Sequence, residues 1–225
     1  MNVKQHIPNL LTLGNLLCGC IAIFMVLEGK YAFAFNLMII AAVLDFFDGF
    51  VARLLKVSGE LGAQLDSLAD MVTFGVLPAM FMFSMIENNT ENYYLPFVGF
   101  FIAMMSGYRL AKFNIDTEQS ENFKGLPTPI NAVIVASISL ITTVELFQNV
   151  SFLIGVTIVT SLLLVANFPL LALKFKTFGW KENQAKFILV IVSIILIAIL
   201  KFVAIPIILP LYLLISFLHF KLKVI

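Results

Sequence analysis

Long apolar stretches recur along this 225-residue chain, separated only by short polar breaks. A helix needs about 20 mainly apolar residues to cross a bilayer core, where every backbone polar group must be satisfied within the protein. The runs predict eight helices, at 10–27, 32–55, 68–87, 95–113, 129–147, 151–173, 186–201 and 204–220. Pro206 and Pro210 make one of the last two a kinked or partly inserted segment. The fold class is therefore all-α, a polytopic membrane helical bundle forming a single integral membrane domain over residues 1–225. Only 12% of residues are charged and mean hydropathy is +1.03, whereas a soluble domain carries about 25% charged residues. A net charge of +1 suggests no nucleic-acid partner and no acidic tail. Cys18 and Cys20 face different ways on one helix and read as packing residues. The first apolar run lacks a small-x-small cleavage site and reads as a retained transmembrane helix.

Lysine and arginine set the orientation. With a cytoplasmic N-terminus, the inner segments collect Lys4, Arg53, Lys56, Arg109, Lys112, Lys124, Lys174, Lys176, Lys181, Lys186, Lys221 and Lys223, leaving Lys30 and Lys201 outside. This asymmetry puts both termini in the cytoplasm and supports an even number of spans.

The chain holds five aspartates, and Asp45, Asp48, Asp66 and Asp70 share one window. A carboxylate at membrane depth costs roughly 2.5–3.5 kcal/mol, so four facing lipid would cost on the order of 10 kcal/mol. Spacings of three and four residues put Asp45 with Asp48, and Asp66 with Asp70, on common helix faces. Gly59 and Gly62 in the connection permit a tight helix–helix turn that aims both pairs into one cytosolic cleft. Hard oxygen ligands in that number suit two divalent cations, Mg²⁺ or Mn²⁺, an arrangement that assists phosphate displacement. Gly49 and Ala52 lack bulk, leaving room for a nucleotide beside the second helix, and Arg53 can bind a phosphate through its planar fork. A cation-coupled transporter is the rival reading from another class. It predicts acids dispersed over several helices near mid-membrane. Here Glu87, Glu91, Asp116 and Glu118 fall in predicted loops or at helix ends, and Glu145 near the outer end of its span.

Residues 45–70 read D-x-x-D-G-x-x-A-R-x8-G-x-x-x-D-x-x-x-D. This strongly resembles the signature of the CDP-alcohol phosphatidyltransferases, matched at every position over a likeness running from Ile7 to Pro129. The resemblance implies a six-helix membrane core (about 7–173) with two further C-terminal helices (186–220), commonly homodimeric, transferring a phosphatidyl group from a CDP-linked donor to an alcohol. Carried over by position, it implies that Asp45, Asp48 and Asp66 bind a metal pair. Asp70 then acts as general base on the acceptor hydroxyl and also touches the second metal. It implies that Gly49, Ala52, Arg53 and Gly59 lie against the CDP group. Pro8-Asn9-Leu10-Leu11-Thr12 resembles the family's P-N-x-x-T, implying nucleotide contacts from Asn9 and Thr12.

Asp66–Ala79, Arg109–Asn114 and Phe123–Pro129 further resemble the branch of that family whose acceptor is serine. Lys112 stands where arginine is common, keeping the charge but losing a bidentate contact. The implied donor is CDP-diacylglycerol and the implied acceptor L-serine, with the lipid tails left in the bilayer. Serine carries a carboxylate, for which Arg109, Lys112 and Asn114 are the candidate contacts. Glycerol 3-phosphate or inositol is the alternative acceptor; a glycerol phosphate dianion would call for more clustered basic residues than the 109–124 segment offers.

Overall fold

The computed structural model describes residues 3–57, 59–115, 125–167 and 180–219, and among them every regular element is helical. Helix α1 spans Val3–Leu27 and α2 Tyr31–Leu54; α3 (Glu60–Asp70) runs through a π-helical turn (Met71–Val76) into α4 (Leu77–Glu87). A 3₁₀ turn (Leu95–Phe100) leads into α5 (Phe101–Ile115), followed by α6 (Thr128–Ile138), α7 (Val150–Val165), α8 (Trp180–Leu200) and α9 (Ala204–Phe217). Taken as continuous rods, these are the eight expected helices. His6–Leu27, Tyr31–Leu54 and Glu60–Glu87 are each long and apolar enough to cross a membrane, and α6, α7 and the later part of α8 (Lys186–Leu200) with α9 are shorter apolar helices. Lys124, Lys174, Lys176, Lys221, Lys223, Asp116 and Glu118 lie outside the described residues.

Helix α1 buries one stripe: Pro8, Thr12, Asn15, Gly19, Ala22 and Val26. Its spacing of three and four residues is the helical period that brings side chains onto one face. Large apolar residues face outward instead, including Leu10, Leu17 and Phe24 on α1, Phe46 on α2, and Ile194 and Ile199 on α8. That inverted surface is what lipid, rather than water, stabilises.

The α1–α2 turn closes with Gly29 at φ +71. The Gly29 N–H reaches the Val26 carbonyl at 2.9 Å and the Lys30 N–H the Met25 carbonyl at 2.8 Å. These are the paired bonds of a Schellman cap. The same pair ends α2, from Lys56 to Arg53 (3.2 Å) and Val57 to Ala52 (3.0 Å). Here the left-handed position is Lys56, at φ 52. Gly59 is extended (φ −167) and precedes α3, so the tight turn is not carried by the two glycines. Gly62 serves another purpose: a Cβ there would stand 3.3 Å from Asn9 Oδ1, so its bareness lets α3 approach α1.

Two boundaries differ from expectation. The third rod begins at Glu60 rather than 68, because its first two turns, Glu60–Ser67, are too polar for an apolar run to reveal them. The fifth helix stops at Ile138, with one further 3₁₀ turn at Glu145–Gln148. The Ser137 and Ser139 hydroxyls each donate to a carbonyl three residues back, at 2.7 Å. Such local bonds compete with the helical ladder and help to end it.

The π turn has a local cause. Pro78 has no N–H to give, and its ring crowds the carbonyl four residues earlier, that of Phe74. Widening the turn over 71–76 accommodates both defects directly after Asp70. This turn packs against α1, α5 and α6.

Candidate active site

Helices α1, α2 and α3 meet at the first expected feature, the aspartate cluster. Asp45, Asp48 and Asp66 each offer a carboxylate oxygen, and these oxygens all lie within 4.8 Å of one another. Asp48 is only 7% exposed. Among the described residues no lysine or arginine is ion-paired with any of the four aspartates; the one ion pair is Lys30–Glu28, at 3.9 Å. Three carboxylates so close repel each other unless cations intervene, because charge attraction and repulsion are poorly screened away from bulk water. All-oxygen donors without histidine or thiolate fit a hard divalent cation. The residues present therefore fit the implied metal.

Asp70 stands one helical turn beyond Asp66 and outside that trio. Its side chain lies within hydrogen-bonding reach of Asp45, and its Oδ1 is buried with no partner in the protein. The expectation grouped all four as ligands; the structure groups three and sets Asp70 one helical turn farther along α3, beside the π turn.

Thr12 explains how α1 contributes. Its hydroxyl donates to Asp48 Oδ2 at 2.6 Å, and the Pro8 carbonyl lies 3.1 Å away. A hydroxyl has one proton, and the shorter contact to a carboxylate is the stronger, charge-assisted bond. Thr12 thus fixes the Asp48 carboxylate as well as bordering the neighbouring cleft. Replacing it with valine keeps the shape and removes the bond. Thr12→Val is expected to weaken divalent-cation binding about tenfold with the fold intact, read by metal titration of the purified protein.

Beside the cluster opens a cleft of about 500 Å³, lined among others by Asn9, Thr12, Asp48, Gly49, Ala52, Arg53, Gly59 and Asp66. All six residues expected to contact the nucleotide fall on this one wall, with two of the aspartates. Pro8, Val57, Glu60, Leu61, Gly62 and Ala63 complete it. Glu60, Leu61 and Ala63 escaped the sequence reading because the start of that helix did.

The three residues expected to meet the acceptor do not converge on each other. Arg109 is half-buried and donates from Nη1 to the Thr128 hydroxyl at 3.0 Å; it is also close enough to Asp70 to feel its charge. Lys112 turns to Asn167, beyond α7, at 3.3 Å. The Asn114 amide pairs with Ser67, on α3, at 3.0–3.1 Å. Of the three, Arg109 alone reaches toward Asp70.

A family model described as CDP-alcohol phosphatidyltransferase matches residues 5–164, more than half of the chain. The chain belongs to the CDP-alcohol phosphatidyltransferase family. The match takes in the aspartate cluster, the cleft and helices α1 to α6, and ends within α7. Within this family the chain is similar to the CDP-diacylglycerol–serine O-phosphatidyltransferase of Bacillus subtilis, 37% identical over 139 residues, which cover 60% of this chain and 76% of that protein. It is similar to the Helicobacter pylori enzyme of the same name, 30% identical over 224 residues, 95% of this chain and 90% of that one. The archaetidylserine synthase of Methanothermobacter thermautotrophicus is 35% identical over 134 residues, 58% of this chain and 56% of its own length. As a CDP-alcohol phosphatidyltransferase, the chain has the residues of its family's signature gathered at one end of three packed helices.

Proposed function

We propose that this protein transfers the phosphatidyl group of CDP-diacylglycerol to the hydroxyl of L-serine, giving phosphatidylserine and CMP. The observation that carries this reading is the shared wall: the six candidate nucleotide contacts line the cleft that also exposes Asp48 and Asp66. The names of the relatives from Bacillus subtilis and Helicobacter pylori support serine as the acceptor.

In this reading the CDP group lies along α2 against Gly49 and Ala52, with Arg53 on a phosphate and Asn9 and Thr12 closing the α1 side. Asp45, Asp48 and Asp66, together with Asp70, would hold a pair of divalent cations, Mg²⁺ or Mn²⁺. When bound, such cations neutralise charge on the pyrophosphate and on departing CMP. The serine oxygen bonds to the β-phosphorus as the bond from that phosphorus to the CMP oxygen breaks. Asp70 accepts the hydroxyl proton, since its buried Oδ1 has no other claim on it. Arg109 faces the serine carboxylate, with Lys112 and Asn114 farther toward the mouth. Residues 1–225 form one integral membrane domain of the cell inner membrane, as a homodimer, with both termini and the cleft on the cytosolic side, where serine is available.

An acceptor panel tests the reading. The purified protein, given CDP-diacylglycerol and a divalent cation, is expected to release CMP with serine and not with glycerol 3-phosphate, inositol or water. CMP release with glycerol 3-phosphate alone would reassign the acceptor, and no release with any acceptor would favour a transporter. Arg109→Ala is expected to raise the serine KM at least tenfold while leaving the CDP-diacylglycerol KM within about twofold, the effect of losing a charged hydrogen-bonded contact. An unchanged serine KM in the folded variant would remove Arg109 from the acceptor site.

A further inference from the structure

Several polar side chains in this bundle are fully buried and have no partner within the protein. They are Asn15 on α1, Ser106 on α5, Asn131 on α6 and Ser161 on α7, each 0% exposed. Both amide atoms of each asparagine and both serine hydroxyls are unpaired, as are Asp70 Oδ1 and Arg109 Nε. Orphaned buried polar atoms are rare in native structures, and each calls for an explanation. Five of these six residues, all but Ser161, share a location, because α1, α5 and α6 all pack on the π turn that follows Asp70.

The register ties them more closely. Ser67 meets Asn114, and Ser106 lies against Gly75, whose added Cβ would stand 3.2 Å from the Ser106 Cβ. Arg109, one turn along α5 from Ser106, bonds Thr128. Asn131 follows Thr128 by one turn of α6, so Ser106 with Arg109 and Thr128 with Asn131 each share a helix face. The two faces meet at the Arg109–Thr128 bond, and both helices pack on the turn that starts after Asp70.

We propose that Ser106 and Asn131, beside Arg109, form the subsite for the amino-acid end of the acceptor, a small zwitterion, and that Asn131 sets acceptor specificity. The inference rests on serine being the acceptor and assigns the subsite to buried residues of α5 and α6 instead of the exposed Lys112 and Asn114. Arg109 provides charge for the carboxylate. The Asn131 carbonyl oxygen and the Ser106 hydroxyl accept from the ammonium group, which a ligand lacking it would leave unpaired. The acceptor hydroxyl then points at Asp70.

The test uses the full chain in detergent with CDP-diacylglycerol and Mn²⁺, after the wild type has been shown to release CMP with serine. Asn131→Leu keeps the volume and removes the amide. It is expected to raise the serine KM about tenfold with the CDP-diacylglycerol KM unchanged, and to abolish the rise in Tm that serine gives the wild type. Its Tm without serine is expected to hold or increase, since unpaired polar atoms are removed. Ser106→Ala, a smaller change, is expected to raise the serine KM about threefold. A lowered Tm with serine KM unchanged in both variants would mean that these groups are structural, and would overturn the proposal. A wild type that turns over another acceptor but not serine overturns the acceptor assignment itself, a result distinct from unchanged KM values in the variants.

Discussion

Asp66→Asn is expected to reduce CMP release at least 10³-fold while leaving the protein folded. The substitution is nearly isosteric, so packing is preserved and the change is in charge. Asp66 is the α3 member of the trio whose oxygens lie within 4.8 Å of one another. Losing it leaves Asp45 and Asp48 on one helix with only the offset Asp70 beside them, too few for a pair of hard cations that each prefer six oxygen donors. A barrier rise of about 4 kcal/mol, the scale of one lost electrostatic contact to a transition state, corresponds to that factor. The stability effect has the opposite sign: with one negative charge fewer in the cluster, Asp66→Asn is expected to raise Tm in chelator. Wild-type turnover in the variant would mean that the cluster is not catalytic. A Tm lowered in chelator would mean that the carboxylate is held by a protein cation.

The second large effect is structural. Gly125 adopts φ +74, and a Cβ there would stand 2.8–3.0 Å from the carbonyl oxygens of Leu164, Ala166 and Leu163. The neighbouring Leu126 N–H donates to the Leu163 carbonyl at 2.9 Å. Glycine at this position lets the chain entering α6 dock on the end of α7. Gly125→Ala meets both a left-handed backbone, costing about 1–2 kcal/mol, and contact with rigid backbone, costing about 1–3 kcal/mol more. A loss near 3 kcal/mol is expected from thermal unfolding in detergent, together with reduced activity because Thr128, the partner of Arg109, follows directly. Gly155, on α7, is the control: an added Cβ meets nothing within 4 Å. Gly155→Ala is expected to be neutral or slightly stabilising. Equal Tm values for the two variants would contradict the docking role.

Much of the site was legible because its chemistry is written in short spacings. Asp45 with Asp48, and Asp66 with Asp70, are helical neighbours in any helix, and the polarity of four carboxylates stands out in an apolar chain. Gly49, Ala52 and Arg53 follow from the same helix face. What spacing alone does not reveal is how separate helices meet. The Thr12–Asp48 bond spans 36 residues and the Ser67–Asn114 pair 47; neither has a local signal. The start of α3 was hidden because a polar, amphipathic first turn looks like a loop to a hydropathy reading. Lys56 in the left-handed turn position runs against the preference for glycine there, which is why the nearby Gly59 and Gly62 drew attention instead. Asn15 and Asn131 did carry a signal, as amides inside apolar runs, but their convergence on the π turn depends on Pro78 and on the packing around it.

In the proposed function, carboxylates from two adjacent rods draw a divalent cation into the cleft that takes the CDP group. The most direct measurement is CMP release from CDP-diacylglycerol and serine after exhaustive chelation, followed by graded addition of Mg²⁺ or Mn²⁺. The account predicts no turnover in chelator and full recovery on adding either ion, with no recovery for Asp66→Asn. Undiminished turnover of the metal-stripped wild type would contradict it.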